Sequence, residues 1–557
     1  MKSRREALKD IQNKSFDVGV IGGGATGSGC ALDSQLRGLS TVLIEAGDFA
    51  SATSSSSTKM VHGGVRYLEE AFRRLDPAEY KVVNRALHER IHMLKNGPFL
   101  ARAKEFITPC YSWLDLAYYE TGLKLYDWIS GSASLAPSHF VSRRETLRRL
   151  PNLNPKGLVG AVAYTDGQFD DARYNVTLVQ SFAETGGAAL NYARVISCER
   201  GADGKLAAVT VQDQFSQQSF VVRARAFVNA TGPFADSIRS MANPDAKPRI
   251  RLSKGVHILL PAEVLSSGDS ILIPKTEDGR VLFAIPWRGR VLVGTTEQEV
   301  AVGEELFLTH EEVAYLLRHL NRYLALPVKA AQVVGGFAGA RPLLSADDSR
   351  DTKKVARDHE VELDPQSGLV SILGGKWTTY RAMAQDTIDI VQKSFGGNPT
   401  RCLTMNHPLV GADGYSSDYW KTLVENFNVP ERTARHLAEK HGTRAAQILD
   451  LVAKDPNLGE PLAKGLTPLR GEVAFAARFE MAVTIEDVLA RRIGLQFYGW
   501  AEAIAAAPAT ADIMACELGW SKTDRDKALT EYLKKIQDLQ RRAGLTVPPE
   551  ARVSNRR

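Results

Sequence analysis

Three glycines near the N-terminus constrain this chain more than anything else in it. Gly22, Gly24 and Gly27 stand in the pattern G-x-G-x-x-G, directly after the apolar run FDVGVI and directly before ATGSGCALDSQLRG. The first segment reads as a strand. In the second, Ala31, Leu32, Gln35 and Leu36 have helical spacing and Gly38 ends the helix. TVLIE is then a second strand that closes on Glu45, 18 residues past Gly27. Strand, tight turn, helix, strand and terminal acid together form a dinucleotide-binding unit. Gly22 permits the turn, Gly24 lets the backbone approach a pyrophosphate, and Gly27 lets helix and strand pack closely. The helix N-terminus faces the anion, and Glu45 is placed to accept hydrogen bonds from the adenosine ribose.

The fingerprint alone does not separate FAD from NAD, but its position in the chain helps. Val228–Gly232 (VNATG) ends another strand in a small-residue turn, bringing Thr231 and Gly232 to the nucleotide from a second side. Gly374, Gly375 and Lys376 open a helix more than 300 residues after the first turn, with Thr378 close behind. A cofactor held by the start, middle and end of a large domain is a long one, which favours FAD.

With 557 residues the chain exceeds a single core. Short strand-like runs fill roughly 150–350 (LAAVTVQDQ, SFVVRARAFVNATG, HILLP, DSILIP, VLFAIPW, RVLVGTT), and a helical segment spans Tyr80–Leu94. After about 400 the periodicity turns helical, in ERTARHLAEKHGTRAAQILDLVAKD and GEVAFAARFEMAVTIEDVLARRIGL, with Met405–Ser417 as the expected linker. The expected organisation is an FAD-binding and β-rich part over 1–404 and a helical part with a basic tail over 405–557. Within the first, 15–100, 155–235 and 335–400 are assigned to the dinucleotide fold, and 101–154 and 236–334 to the substrate part.

Hydrophobic residues are 44% and charged residues 24%, an ordinary globular balance. No apolar run reaches the 18 residues or so a spanning helix needs. The N-terminus lacks the apolar core of a secretory signal. Five scattered cysteines with no CxxC suggest neither a disulfide framework nor zinc, and so a reducing compartment, the cytoplasm. Of the net charge of +6, most sits at the end: Ser521–Arg557 holds ten Lys/Arg against five Asp/Glu. A basic end of this kind attracts acidic lipid or nucleic acid. The reading favours a solvated helix and tail, and no basic-aromatic pattern points to nucleic acid.

The stretch Ser54–Glu70 (SSSSTKMVHGGVRYLEE) is too rich in chemistry for a linker. Its Ser/Thr half (Ser54, Ser55, Ser57, Thr58 and Lys59) reads as a loop along the cofactor. Its second half turns through two glycines and delivers His62, Arg66 and Tyr67. Asp166, Asp170 and Asp171 in YTDGQFDDARY could suggest a metal, but the reading is a turn with capping carboxylates and no metal site.

ATSSSSTKMVHGGVRYLE, with IGGGATGSGCALD before it and GARPL, VARDH, GGKWTTYR and FAARFEMAVTIEDVLARR after it, resembles the FAD-dependent glycerol-3-phosphate dehydrogenase family. The similarity runs in order over roughly 15–545. It implies an α/β fold in which a Rossmann-like FAD domain and a β-rich substrate domain resemble D-amino-acid oxidase, with a helical C-terminal domain added. It further implies oxidation of sn-glycerol 3-phosphate to dihydroxyacetone phosphate. Electrons would pass to a quinone, from an enzyme peripheral on the cytoplasmic face of the inner membrane. A homodimer is left open. The calcium-binding loop of the animal mitochondrial members does not occur here, nor an obvious counterpart of the segment inserted in the oxygen-using relatives.

Carried over by motif, Arg66, Arg341 and Arg357, with Tyr67, belong to the substrate pocket. Arginine's planar fork suits phosphate. Arg341 is assigned to the C2 oxygen, where alkoxide charge develops, and Arg357 and Lys376 to the phosphate end. Lys376 has the flavin N1–C2=O edge as its other reading. His62 is the candidate general base, with His257 as a weaker second. The competing readings are a glycerol-3-phosphate oxidase using oxygen, an amine or amino-acid oxidase of the same fold, and a nucleotide-binding membrane scaffold without chemistry.

Overall fold

A computed structural model describes residues 1–64, 77–345 and 359–545. Arg66, Tyr67 and Arg357 lie outside the described residues.

Two sheets organise the first 400 residues. The strand Ser15–Ile21 pairs in parallel with Thr41–Ile44 on one side and Ser219–Asn229 on the other, and Val370–Gly374 continues the parallel run. Thr41–Ile44 is buried throughout, as a strand covered on both faces must be. The helix Ala25–Leu36 crosses this sheet between the helices Asp171–Glu184 and Tyr380–Ser394. The fit leaves no room for side chains. A Cβ on Gly27 would stand 1.8 Å from the Gly22 carbonyl oxygen, and one on Gly29 would stand 2.9 Å from the Tyr380 ring.

The second sheet, of ten strands among the described residues, is built around Ile250–Pro261. That strand pairs antiparallel with Gly335–Leu344 from Ile250 to Leu259 and with Arg290–Gly294 on its other side. Further out, Gly160–Phe169 pairs residue by residue with Ala101–Cys110, from Phe169 opposite Ala101 to Gly160 opposite Cys110. This corrects the expected division of the chain, because 160–169 and 335–344 were assigned to the dinucleotide part. Strand character is local, but the sheet a strand joins is decided by partners far away in the chain.

The helical C-terminal part begins at the expected linker. Met405–Ser417 is docked rather than free: Leu409 is buried, its N–H donates to Asn96 (2.8 Å), and the Val410 N–H donates to Ser181 Oγ (3.0 Å). The first long helical run breaks at Gly442, which has φ of +59°, into Glu431–His441 and Ala445–Lys454. The basic helix Lys522–Arg542 folds back on the body. It buries Tyr532 and Ile536, and pairs Lys535 with Glu486 (2.7 Å) and Arg542 with Glu305 (3.0 Å).

Buried ion pairs fasten this part to the nucleotide fold. Arg173 grips Glu480 with both nitrogens (2.6 and 2.5 Å), and Lys440 approaches Asp170 (3.4 Å). Arg491 and Arg492 both close on Asp48, just past Glu45. All five cysteines are free thiols. Among the described residues no group of side chains is arranged to hold a metal ion, and no helix is long and apolar enough to cross a membrane.

Candidate active site

The glycine turn adopts the geometry its sequence requires. Gly22 has φ of +108°, and a Cβ there would lie 2.6 Å from the Ala230 carbonyl oxygen and 3.0 Å from Thr231 Cα. Gly24 is the N-cap of the helix and offers no side chain to it; the Ser54 hydroxyl accepts from the Ala25 N–H instead (2.9 Å). Glu45 is buried at the strand end and accepts from the Gly23 and Gly47 N–H groups (2.6 and 2.7 Å). Burial raises its proton affinity above the usual carboxylate value, and those two donors oppose the rise. The turn that carries Thr231 and Gly232 (φ +56°) closes the same end, with Thr231 Oγ1 bonded to Asn229 (2.7 Å).

The Ser/Thr loop is pinned to both sheets. Thr53 Oγ1 donates to the Ala340 carbonyl (2.6 Å), and Trp377 Nε1 donates to the Ser54 carbonyl (2.9 Å). A Cβ on Gly339 would strike Ser56 at 2.7 Å, so the loop lies directly on strand Gly335–Leu344. Its members divide by direction. Ser57 and Thr58 line a cavity, and Ser57 Oγ also donates to Asp171 (2.6 Å). Ser55 and Lys59 turn into the core. Lys59 has φ of +61°, pairs with Asp171, and donates to the Ser55 carbonyl (2.7 Å). Its Nζ stands 4.9 Å from the centres of the Phe337 and Phe497 rings. Lys59 was expected at the cofactor; it instead anchors the loop from behind, because a buried ammonium needs the carboxylate and carbonyl found there.

The cavity has a volume of about 800 Å³, within the usual range for a small-molecule site. His62, His257, Arg341, Gly375, Lys376 and Thr378 share its wall. Arg341 projects from Gly335–Leu344 across the neighbouring strand. It passes over Gly255, where a Cβ would be 2.8 Å from its Nη2, and donates to Thr295 Oγ1 (3.1 Å). Gly374 and Gly375 (φ +70° and +86°) turn the chain so that Lys376 precedes a short helical turn. Thr378 Oγ1 receives the His62 N–H (3.3 Å).

Both histidines are neutral at neutral pH. For His62, burial lowers proton affinity, with Lys376 and Arg90 adding to the effect and Asp166 opposing it. His257 is lowered further by burial, then by Arg341 and Lys59. Its Nε2 meets Thr58 Oγ1 at 3.0 Å, and its ring stacks on Phe337.

The residues that brace the backbone next to His62, at Gly63, were missed in the sequence. Asp166 lies on a strand rather than in the expected turn, and it is fully buried. It accepts from Arg90 (2.7 Å) and Tyr126 (3.0 Å), and the Tyr126 hydroxyl receives the Gly63 N–H (2.9 Å). Of the three aspartates only Asp170 caps a helix, accepting from the Arg173 N–H (3.2 Å). The sequence signal was the alternation AVAYTDGQF, which placed Asp166 on a strand facing the same way as Tyr164.

The glycine cradle at a helix N-terminus, the buried acid at the strand end and the adjoining cavity fit FAD, and define the class as an FAD-dependent oxidoreductase. Residues 17–381 match the family described as FAD dependent oxidoreductase, and residues 402–525 match the C-terminal domain of alpha-glycerophosphate oxidase. The chain is 39% identical over 555 residues to the probable mitochondrial glycerol-3-phosphate dehydrogenase of Dictyostelium discoideum, covering 96% of this chain and 86% of that one. It is 38% identical over 539 residues to the human mitochondrial glycerol-3-phosphate dehydrogenase, covering 95% and 74%. The crystal structure of the Bacillus halodurans glycerol-3-phosphate dehydrogenase complexed with FAD superposes with a TM-score of 0.79 at 27% identity, over 98% of this chain and 99% of that one. The chain belongs to the FAD-dependent glycerol-3-phosphate dehydrogenase family.

Proposed function

We propose that the chain oxidises sn-glycerol 3-phosphate to dihydroxyacetone phosphate in the 800 Å³ cavity and passes the electrons to a membrane quinone. The observation that carries this reading is the convergence of Arg341, Lys376, His62 and His257 on one cavity that the FAD-binding loop also lines. FAD, when bound, supplies the two-electron acceptor that takes the C2 hydride. The protein must then bind a dianion, hold the C2 oxygen and remove the hydroxyl proton. Arg341 stabilises negative charge on the C2 oxygen. Lys376 serves the phosphate or the flavin N1–C2=O edge, and Arg66, Tyr67 and Arg357 complete the substrate set. Neutral His62 takes the proton, so that the C–H bond pair leaves as hydride and the carbonyl forms.

Bleaching of the yellow flavin by glycerol 3-phosphate without oxygen, and not by amino acids, is the expected result. An unbleached flavin sinks the proposal. Reoxidation by a soluble quinone faster than by oxygen supports the dehydrogenase over the oxidase reading.

The general base has its own test. His62→Gln is expected to keep FAD and to lower kcat about 10²–10⁴-fold. In the unsubstituted enzyme kcat/KM should fall on the acid side with a midpoint below about 6.5, because His62 is held below the ordinary histidine value. The variant should lose that acid limb. If His257→Gln removes the limb and His62→Gln leaves it, the proton goes to His257.

A further inference from the structure

A second cavity, of about 290 Å³, shares no lining residue with the 800 Å³ cavity. Its charged wall comes from three separate parts of the chain. Lys156 stands just before the strand Gly160–Phe169, Lys275 just after the strand Ser270–Ile273, and Arg322 at the end of the helix His310–Asn321. Tyr111 and Tyr323 meet edge to face in the same wall. Backbone bonds through Asn154 pin these segments together. Its carbonyl accepts from the Tyr111 hydroxyl (3.0 Å), and its N–H donates to the Tyr323 carbonyl (2.8 Å).

Carboxylates do not cancel the positive charge. Glu277 is shared by Arg318 (3.4 Å) and Arg322, and Asp278 is taken by Arg280 (3.0 Å), Tyr315 (2.7 Å) and Thr276 (2.6 Å). Lys156 and Lys275 make no ion pair among the described residues. His319 is 1% exposed and belongs to the cavity wall. Its buried Nε2 has no hydrogen-bond partner, with Glu277 Oε2 at 3.9 Å. A buried nitrogen left unpaired is costly unless a ligand or water completes it. The loop 274–281 serves both cavities. Pro274, Arg280 and Val281 line the large one, and Lys275, next to Pro274 in the chain, lines the small one. The loop closes on itself: the Thr276 N–H donates to the Arg280 carbonyl (2.8 Å), and the Arg280 N–H donates to Thr276 Oγ1 (2.9 Å).

We propose that the small cavity is a second anion site, which takes inorganic phosphate or a small soluble phosphate monoester, and that filling it steadies one wall of the active cavity. Lys156, Lys275 and Arg322 draw the phosphate, and His319 Nε2 gains a polar partner. A volume of about 290 Å³ lies just below the range usual for drug-sized ligands, which suits a small dianion rather than a nucleotide. Attraction scales with the product of the charges, so a doubly charged monoester is preferred to a singly charged diester. Bound phosphate bridges Lys275 on the loop to Arg322 after the helix and to Lys156 on a third segment. The loop then gives up motion, and the large cavity feels this through Pro274, Arg280 and Val281. The inference stands apart from the proposed reaction, since none of these residues is assigned to the flavin or the substrate.

The test is calorimetric titration of the FAD-loaded protein with inorganic phosphate. Two sites per chain are expected. Lys156→Gln with Lys275→Gln should weaken one about tenfold or more while the flavin spectrum and melting temperature hold. Arg341→Met with Lys376→Met should weaken the other. In that second variant dimethyl phosphate, a singly charged diester, should bind about tenfold more weakly than phosphate or worse. Phosphate should also slow hydrogen exchange of the amides in 275–281 there, and should not do so in the Lys156→Gln, Lys275→Gln protein. Phosphate binding that is indifferent to Lys156→Gln with Lys275→Gln overturns the site; if Arg341→Met with Lys376→Met abolishes it, the proposed reaction still stands. A single phosphate lost only with Lys156 and Lys275 keeps the site and counts against the phosphate role given to Lys376. Equal binding of dimethyl phosphate overturns the choice of ligand. Unchanged exchange in 275–281 with phosphate bound overturns the coupling, and no binding at all overturns the whole proposal.

Discussion

Arg341→Met is expected to lower kcat about 10²–10³-fold while the protein keeps its FAD and its melting temperature. The guanidinium reaches the cavity only because Gly255 leaves the neighbouring strand bare beneath it, and Thr295 Oγ1 fixes its Nη2 at 3.1 Å. In the proposed role a preorganised charge of this kind acts on the transition state, since alkoxide is barely present in the bound alcohol. The loss should therefore appear in kcat and kcat/KM together rather than in KM alone. Arg341→Lys restores charge without the planar fork and should recover only part of the rate. Steady-state kinetics with a soluble acceptor, beside flavin content, checks this. A variant that loses affinity but not turnover would move Arg341 from the C2 oxygen to the phosphate.

The second large effect concerns stability. Asp48→Ala is expected to destabilise the protein by about 3–5 kcal/mol, because it leaves Arg491 and Arg492 buried without their shared carboxylate. Arg492 Nη2 stands 2.9 Å and Arg491 Nε 2.5 Å from Asp48, whose side chain is fully buried. Burial alone would raise the proton affinity of Asp48, but Arg492 and Arg491 outweigh it and hold the carboxyl below its usual value. The folded-state value is the depressed one. The contribution is therefore complete above about pH 4 and is lost as the pH falls through that lowered value. Thermal melts between pH 4 and 7 should show a large, nearly constant difference between the two proteins, shrinking at lower pH. FAD should also dissociate more readily from the variant. Phe49 follows Asp48 and packs where a Cβ on Gly23 would be 2.8 Å from its ring, so the C-terminal arginines support the glycine turn proposed to hold the cofactor.

The glycine turn could be located in the sequence because its elements are contiguous. Strand, helix and acid occupy residues 15–45, and each follows from a periodicity or from a backbone angle only glycine adopts readily. The Ser/Thr loop was legible as a functional loop for a different reason: hydroxyls, lysine and histidine crowded together have no use in a linker. Which of its side chains face the cavity was not legible. Ser57 and Thr58 reach it while Lys59 turns back to Asp171, and that choice is made by a residue 112 positions away. The three aspartates of YTDGQFDDARY were grouped as one turn, yet one accepts from Arg90 and Tyr126 on a strand, one caps a helix and one pairs with Lys59.

By itself, then, the sequence determined whatever depends on neighbours within a few residues: the dinucleotide unit, helix and strand character, and the residue types the chemistry requires. Tertiary structure alone decided which sheet holds 160–169 and 335–344, and that Arg341 passes over Gly255. It alone decided that Arg491 and Arg492 brace the turn through Asp48, and that Lys156, Lys275 and Arg322 meet at one cavity. The reason is physical. Dihedral preference and hydrophobic period are properties of short segments, whereas strand partners, buried ion pairs and cavities arise only when distant segments compete for the same space.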